Sequence, residues 1–307
     1  MLTFKDITVI VTKLSNFYKM YQFVSLLRLN KPIGIFLLFW PCAWSLTMTQ
    51  WFVVNNYLFI KYLILFFIGS IIMRSAGCVY NDIVDKKIDF RVQRTKKRLI
   101  ASGKISVTTA WLSISFLIIP ALIILFQFNN FSKILGLSSG LLIITYPFMK
   151  RITFWPQLFL GFTFNWGVLL GWSVFFENIT LETIILYMTG VFWTLGYDTI
   201  YALQDKVDDL KIKVKSTAIK FRHDLKNFLF FCYISSITLL VALGFLTGRS
   251  FIYFILIAIA ALHLAFQVII IQKIKSNNKD KIQKVFNSNN SFGLLIFLIF
   301  FLEIYYG

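Results

Sequence analysis

The 307-residue chain is predicted to be an all-α polytopic membrane protein of about nine transmembrane helices, with no separate soluble domain. Three observations carry that expectation. Hydrophobic residues make up 58% of the chain and charged residues only 14%, where a soluble domain carries about a quarter of its residues charged. Several apolar runs reach the roughly 20 residues that a helix needs to cross about 30 Å of hydrocarbon. The basic residues also gather in connections that alternate along the chain.

The spans are expected at about 33–50, 57–80, 106–127, 131–149, 157–176, 181–203, 227–247, 250–272 and 291–306, from the continuous apolar runs between polar connections. A β-barrel would need strands of about 10 residues alternating polar and apolar. The run LILFFIGSIIM at Leu63–Met73 has no polar face and excludes that pattern. Residues 1–27 carry Lys5, Asp6, Lys13 and Lys19 among apolar residues and have no small-residue cleavage site, as in an interfacial amphipathic helix rather than a signal peptide.

The formal net charge of +18 raises nucleic acid as a partner, and its distribution answers the point. The stretches up to Lys31, 86–104, 150–151, 206–226 and 273–284 hold 27 of the 31 Lys and Arg residues. All five fall on one side of a nine-span alternation, so the basicity is a topology signal, with the amino terminus cytoplasmic, the carboxyl terminus outside and no nucleic-acid partner. With no transit segment apparent, a bacterial cytoplasmic (inner) membrane is expected, the alternative being a mature organellar protein, whose sequence would look alike. Cys42, Cys78 and Cys232 lack metal-ligand or disulfide spacing, and two separated histidines make no recognisable metal site.

Acidic residues are the informative minority. Seven of 13 lie in two short segments, NDIVDKKID (Asn81–Asp89) and DTIYALQDKVDD (Asp198–Asp209). On a continuous helix Asp82, Asp85 and Asp89 share an arc of about 60°, and Asp198, Asp205 and Asp209 one of about 40°. Two facing carboxylate arrays repel unless cations lie between them, and hard Mg²⁺ takes a few carboxylates together with phosphate oxygens. The joint expectation is a site for Mg²⁺ and a diphosphate. Arg94, Lys97 and Arg98, beside Arg91 and Lys96, supply cations for the anion. Arg74 lies 11 residues before Asp85, hence on nearly the same face and about 16 Å deeper. A lone Arg inside a span is costly, so a cavity-facing role is expected of it. A basic run beside a span is commonly just a solvated topogenic loop; the paired Asp arrays have no such explanation.

These segments resemble the UbiA superfamily of intramembrane aromatic prenyltransferases over nearly the whole chain. RLNKPIGIFLLFWP (Arg28–Pro41), RSAGCVYNDIVDKKIDFRVQRTKKRLIASG (Arg74–Gly103), YPFMKR (Tyr146–Arg151) and YDTIYALQDKVDDLKIKVKSTAI (Tyr197–Ile219) are similar to its hallmarks, and their combination favours the hydroxybenzoate branch. Asn30 and Leu99 depart from the family's usual Asp and Pro.

The resemblance implies helices around a central cavity, capped by the two Asp motifs and opened sideways to lipid for a polyprenyl tail. It implies Mg²⁺ on Asp82, Asp85, Asp205 and Asp209 with Asp89 and Asp198 nearby, and transfer of the prenyl group from its diphosphate to the carbon ortho to the hydroxyl of 4-hydroxybenzoate, an early step of ubiquinone biosynthesis. Asn81, Tyr146, Tyr197 and Tyr201 are implied substrate contacts. Asp198 or the released diphosphate is the implied base for the ring proton. The acceptor carboxylate needs a cation, for which Arg151, Arg74 and Arg28 are candidates in that order. An intramembrane cation transporter and a polyprenyl diphosphate phosphatase are the competing classes; the basic residues beside the acids argue against the first. Prenyl length follows from cavity depth, and oligomeric state has no signal in the sequence.

Overall fold

The computed structural model describes residues 20–274 and 278–306. Most of the expected interfacial segment therefore lies outside the described residues, and 20–26 are helical. Thirteen further helices follow: α1 (Ile33–Thr49), α2 (Asn56–Val84), α3 (Lys86–Asp89), α4 (Val107–Leu125), α5 (Asn130–Ile152), α6 (Pro156–Phe176), α7 (Leu181–Ala202), α8 (Lys206–Lys211), α9 (Thr217–Lys220), α10 (Leu225–Leu246), α11 (Phe251–Lys273), α12 (Lys279–Asn287) and α13 (Asn289–Tyr306). No strand occurs among the described residues.

Helix starts coincide with the polar residues that interrupt the apolar runs. Asn55, Ser106, Asn129 and Ser250 each accept a hydrogen bond from the backbone N–H three residues on, and Pro156 opens α6. Among the described residues seven helices are long and apolar enough to cross a membrane, with α12 and α13 taken together as one. Two expected spans fall outside that set for different reasons. Helix α1 has only 17 residues. Helix α7 has 22 but carries Asp198, four threonines and two glycines, most of them buried.

Burial explains that polarity. Helices α1 and α7 lie inside the assembly: α1 packs on α2, α6 and α13, and α7 on α6, α10 and α12. At the periphery, α4 buries only Ala110, Ser113 and Leu117, toward α2, and turns Leu112, Phe116, Ile119 and Ile123 outward, where lipid takes the place of a protein neighbour. Indole N–H groups tie α13 to the interior. Trp44 donates to the carbonyl of Gly293 (2.8 Å), Trp40 to Asn290 (2.9 Å) and Trp193 to Asn289 (2.9 Å); a buried indole needs such an acceptor.

Side-chain contacts bring the five basic connections to one end of the molecule. Arg28 reaches Asp82, Arg94 reaches Asp205, Lys150 reaches Asp85, Lys215 donates to the Ile152 carbonyl and Gln204 donates to Gln283.

Candidate active site

A cavity of about 930 Å³ opens at this basic end. Helix α1 contributes its first turns, α2 the face bearing Arg74, Asn81 and Asp82, α5 Tyr146, α6 Phe164, and α7 Tyr197, Asp198 and Tyr201. Six basic side chains line it against three acidic ones. The lining is thus suited to anions at its polar end, with apolar walls from Phe36, Leu37, Ile143 and Leu160 below.

Two ion-pair groups build the rim. The carboxylate of Asp82 accepts two hydrogen bonds from Arg28 Nη2 (2.9 and 2.7 Å) and one from Arg98 Nη1 (3.0 Å), which also donates to Asp89 (2.7 Å). Arg28 holds a left-handed backbone (φ 58°) to do this, a conformation a residue with a Cβ adopts only when its surroundings impose it. In the second group Arg94 donates through Nε to Asp205 (2.8 Å) and through Nη1 to the Tyr201 hydroxyl (2.7 Å). The backbone N–H of Gln93 donates to Asp208, which binds the loop after α3 to α8. Burial raises the Asp89 carboxyl above the usual range, partly offset by Arg98. Burial likewise pushes Asp209 up to about 7, and the neighbouring Asp205 charge adds to it.

Deeper in, the pattern changes. Arg74 has no ion pair or hydrogen bond among the described residues and lies over the Phe164 ring at 5.6 Å. Asp198 also lines the cavity, and the Tyr197 hydroxyl is buried without a hydrogen-bond partner. Fixed polar groups without protein partners, facing a cavity, are groups prepared for a substrate.

Several sequence expectations are corrected here. The first Asp array is not one continuous helical face: α2 ends at Val84, and Asp85 caps it and starts α3. Its carboxylate is consequently drawn away from the cavity to Lys150 and Arg151. The second array breaks likewise, because α7 stops at Ala202 and Asp205 caps α8. Arg151 does not line the cavity; it is 41% exposed and donates to the Val84 carbonyl (2.7 Å). Lys97 is exposed and also absent from the lining. Among the described residues no three acidic, His or Cys side chains gather closely enough to hold an ion by themselves. The oxygen donors nearest the cavity still suit Mg²⁺, which takes one or two carboxylates and completes its shell with substrate phosphate and water.

The sequence reading missed α12. Lys279, Asp280, Gln283 and Asn287 line the cavity from it, a stretch that the charge pattern alone places in a topogenic connection. The signal was present as KDKIQKVFN, in which Ile282, Val285 and Phe286 recur at helical spacing and are buried.

The UbiA prenyltransferase family model matches residues 38–301, which include α2, α5, α6, α7 and α12 of the cavity lining and α1 from residue 38 onward. The chain belongs to the UbiA prenyltransferase family. Its relatives include the mitochondrial 4-hydroxybenzoate polyprenyltransferases of Drosophila melanogaster (43% identical over 277 residues, 90% of this chain and 69% of that one), Arabidopsis thaliana (44% over 279 residues, 90% and 67%) and Rattus norvegicus (40% over 284 residues, 90% and 73%). Among solved structures, a UbiA homologue from Aeropyrum pernix K1 superposes with a TM-score of 0.71 at 20% identity, covering 87% of this chain and 97% of that one. A UbiA homologue from Archaeoglobus fulgidus bound to GPP and Mg²⁺ does so with 0.66 at 14%, covering 92% and 99%. These two establish the UbiA fold for the chain.

The three similar sequences are mitochondrial proteins, which overturns the expected bacterial cytoplasmic membrane. Lys/Arg bias reports which side of a membrane a loop occupies, and carries no information about which membrane it is.

Proposed function

We propose that the protein transfers a polyprenyl group from polyprenyl diphosphate to the ring carbon ortho to the hydroxyl of 4-hydroxybenzoate, as a step in ubiquinone biosynthesis. We place it in a mitochondrial membrane, crossing nine times, with the cavity open to the basic side. The observation that carries this reading is a cavity with guanidinium–carboxylate groups at its rim and an unpaired Arg74 below them. It supports two anionic groups bound at different depths, as a diphosphate and an aromatic carboxylate require. The names of the relatives and of the GPP- and Mg²⁺-bound homologue support the same substrates and ion.

In this reading Arg94 and Arg98 hold the diphosphate oxygens, and Arg28 sets the orientation of Asp82. Asp82 and Asp205 hold Mg²⁺, with Asp209 and the outlying Asp85 and Asp89 supplying background negative charge. When bound, the ion offsets the charge that grows on the leaving diphosphate. The carbon–oxygen bond of the allylic diphosphate breaks, the apolar wall keeps water from the allylic cation, and the ring carbon ortho to the hydroxyl bonds to it. The ring proton leaves to Asp198. Arg74 pairs with the acceptor carboxylate, and Asn81, Tyr146, Tyr197 and Tyr201 line the space between the substrates.

The test is purified protein given radiolabelled prenyl diphosphate and Mg²⁺, with 4-hydroxybenzoate or with water alone. Label moving to the aromatic acceptor supports the proposal. Release of free prenol independent of acceptor would identify a phosphatase, and flux of cations through reconstituted vesicles without label transfer would identify a transporter.

A further inference from the structure

The first turn of α1 makes an unusual approach to Arg74. Gly34 lines the cavity there, and a Cβ built on it would lie 2.8 Å from Arg74 Nη2 and 2.9 Å from Cζ, and nearer still to Nε. No real Cβ sits at such distances, so the guanidinium occupies the volume that any other residue at 34 would fill. Phe164 borders the same guanidinium, with its ring centroid 5.6 Å from Cζ. Arg74 itself has neither an ion pair nor a hydrogen bond among the described residues. Its orientation is therefore set by contact with these two neighbours under the attraction of the Asp198 charge in the same cavity, with no direct polar anchor, which leaves its donors available to the cavity.

We infer that Gly34 and Phe164 are positioning residues for acceptor recognition: they form the seat that aims the Arg74 fork at the carboxylate of the aromatic substrate. This rests on the reading of Arg74 as the acceptor cation. A seat of this kind has a distinctive response to substitution. Adding a methyl group at 34 meets only the far end of a long side chain, which swings aside at little cost to the fold. Ala also suits the first turn of a helix better than Gly. The fold is kept and the aim is lost.

The experiment measures steady-state kinetics of Gly34→Ala, Phe164→Leu, Arg74→Ala and the Gly34→Ala/Arg74→Ala double variant, varying each substrate, with thermal unfolding of each protein. Gly34→Ala is expected to raise KM for 4-hydroxybenzoate about tenfold, the effect of losing one charge-assisted hydrogen bond. KM for the prenyl diphosphate and the unfolding midpoint stay unchanged. Phe164→Leu raises the acceptor KM about threefold, in line with a modest cation–π contact. With 4-hydroxybenzamide, which lacks the anionic carboxylate, Gly34→Ala and the parent protein behave alike. In the Arg74→Ala background Gly34→Ala adds nothing.

An acceptor KM unchanged in both Gly34→Ala and Phe164→Leu overturns the inference while Arg74→Ala still raises it. So does a Gly34→Ala penalty that persists without Arg74, or that falls equally on both substrates. If Arg74→Ala itself leaves the acceptor KM unchanged, the underlying reading of Arg74 fails and the seat fails with it, a result distinguishable from the others by that single variant.

Discussion

Removing the Arg74 guanidinium is the most informative single perturbation. In the structure this cation lines the cavity without an ion pair among the described residues, over the face of Phe164. None of its hydrogen-bonding capacity is therefore spent on the protein, and a substrate carboxylate is free to take it. A hydrogen bond to a charged group contributes about 1.5 to 3 kcal/mol. Arg74→Ala is accordingly expected to raise KM for 4-hydroxybenzoate by about tenfold to a hundredfold. The lost cation had no direct hydrogen-bond or ion-pair partner among the described residues, though its charge acts on the buried Asp198 across the cavity, so the thermal midpoint is expected to change little. Arg74→Lys keeps the charge but not the planar fork, so its KM falls between the two. The assay is steady-state prenyl transfer in detergent or nanodiscs with each substrate varied in turn. An acceptor KM within about threefold of the parent value, or an equal rise for both substrates, refutes the assignment.

Arg151→Ala, by contrast, is expected to change the acceptor KM by less than about threefold, because its guanidinium serves the Val84 carbonyl and Asp85 outside the cavity; the same kinetics check it. Asp205→Asn removes the charge that holds Arg94 and a proposed metal ligand, so kcat should fall at least a hundredfold, about 2.7 kcal/mol of transition-state stabilisation, with membrane insertion retained on fractionation. Chelation with EDTA should abolish turnover, and Mg²⁺ added back should restore it; full activity in metal-free buffer would exclude the ion from the reaction. At the opposite end of the helices, buried Glu303 accepts hydrogen bonds from the Ser250 backbone N–H (3.1 Å) and hydroxyl. Glu303→Ala should destabilise by about 1 to 3 kcal/mol, seen as a lower unfolding midpoint, and leave the KM of both substrates unchanged.

The spans were legible because lipid imposes a length and a polarity on each helix. The expected 57–80 is observed as α2, Asn56–Val84, and 157–176 as α6, Pro156–Phe176. The end of the bundle that holds the site was legible too, since the Lys/Arg bias and the Asp segments occupy the same connections. What the sequence could not supply was the path of the chain where helices stop. Projecting Asp82, Asp85 and Asp89 onto one helical face assumes a straight helix, whereas α2 ends at Val84 and Lys150, 65 residues away in the chain, draws Asp85 to itself. The same dependence on tertiary contact applies to Arg151. YPFMKR places Arg151 at the correct end of α5, but only packing shows that its side chain turns outward. Gly34 was invisible for a related reason: its importance lies in a side chain 40 residues away.

The central claim is that one cavity brings the allylic carbon of a prenyl diphosphate against the ring of 4-hydroxybenzoate. The most direct test is to isolate the product formed by the purified protein with Mg²⁺ and both substrates, and to locate the new bond by NMR. A carbon–carbon bond ortho to the phenolic hydroxyl, with the carboxylate intact, is the predicted result. A prenyl ether or ester of 4-hydroxybenzoate, or free prenol alone, would contradict it.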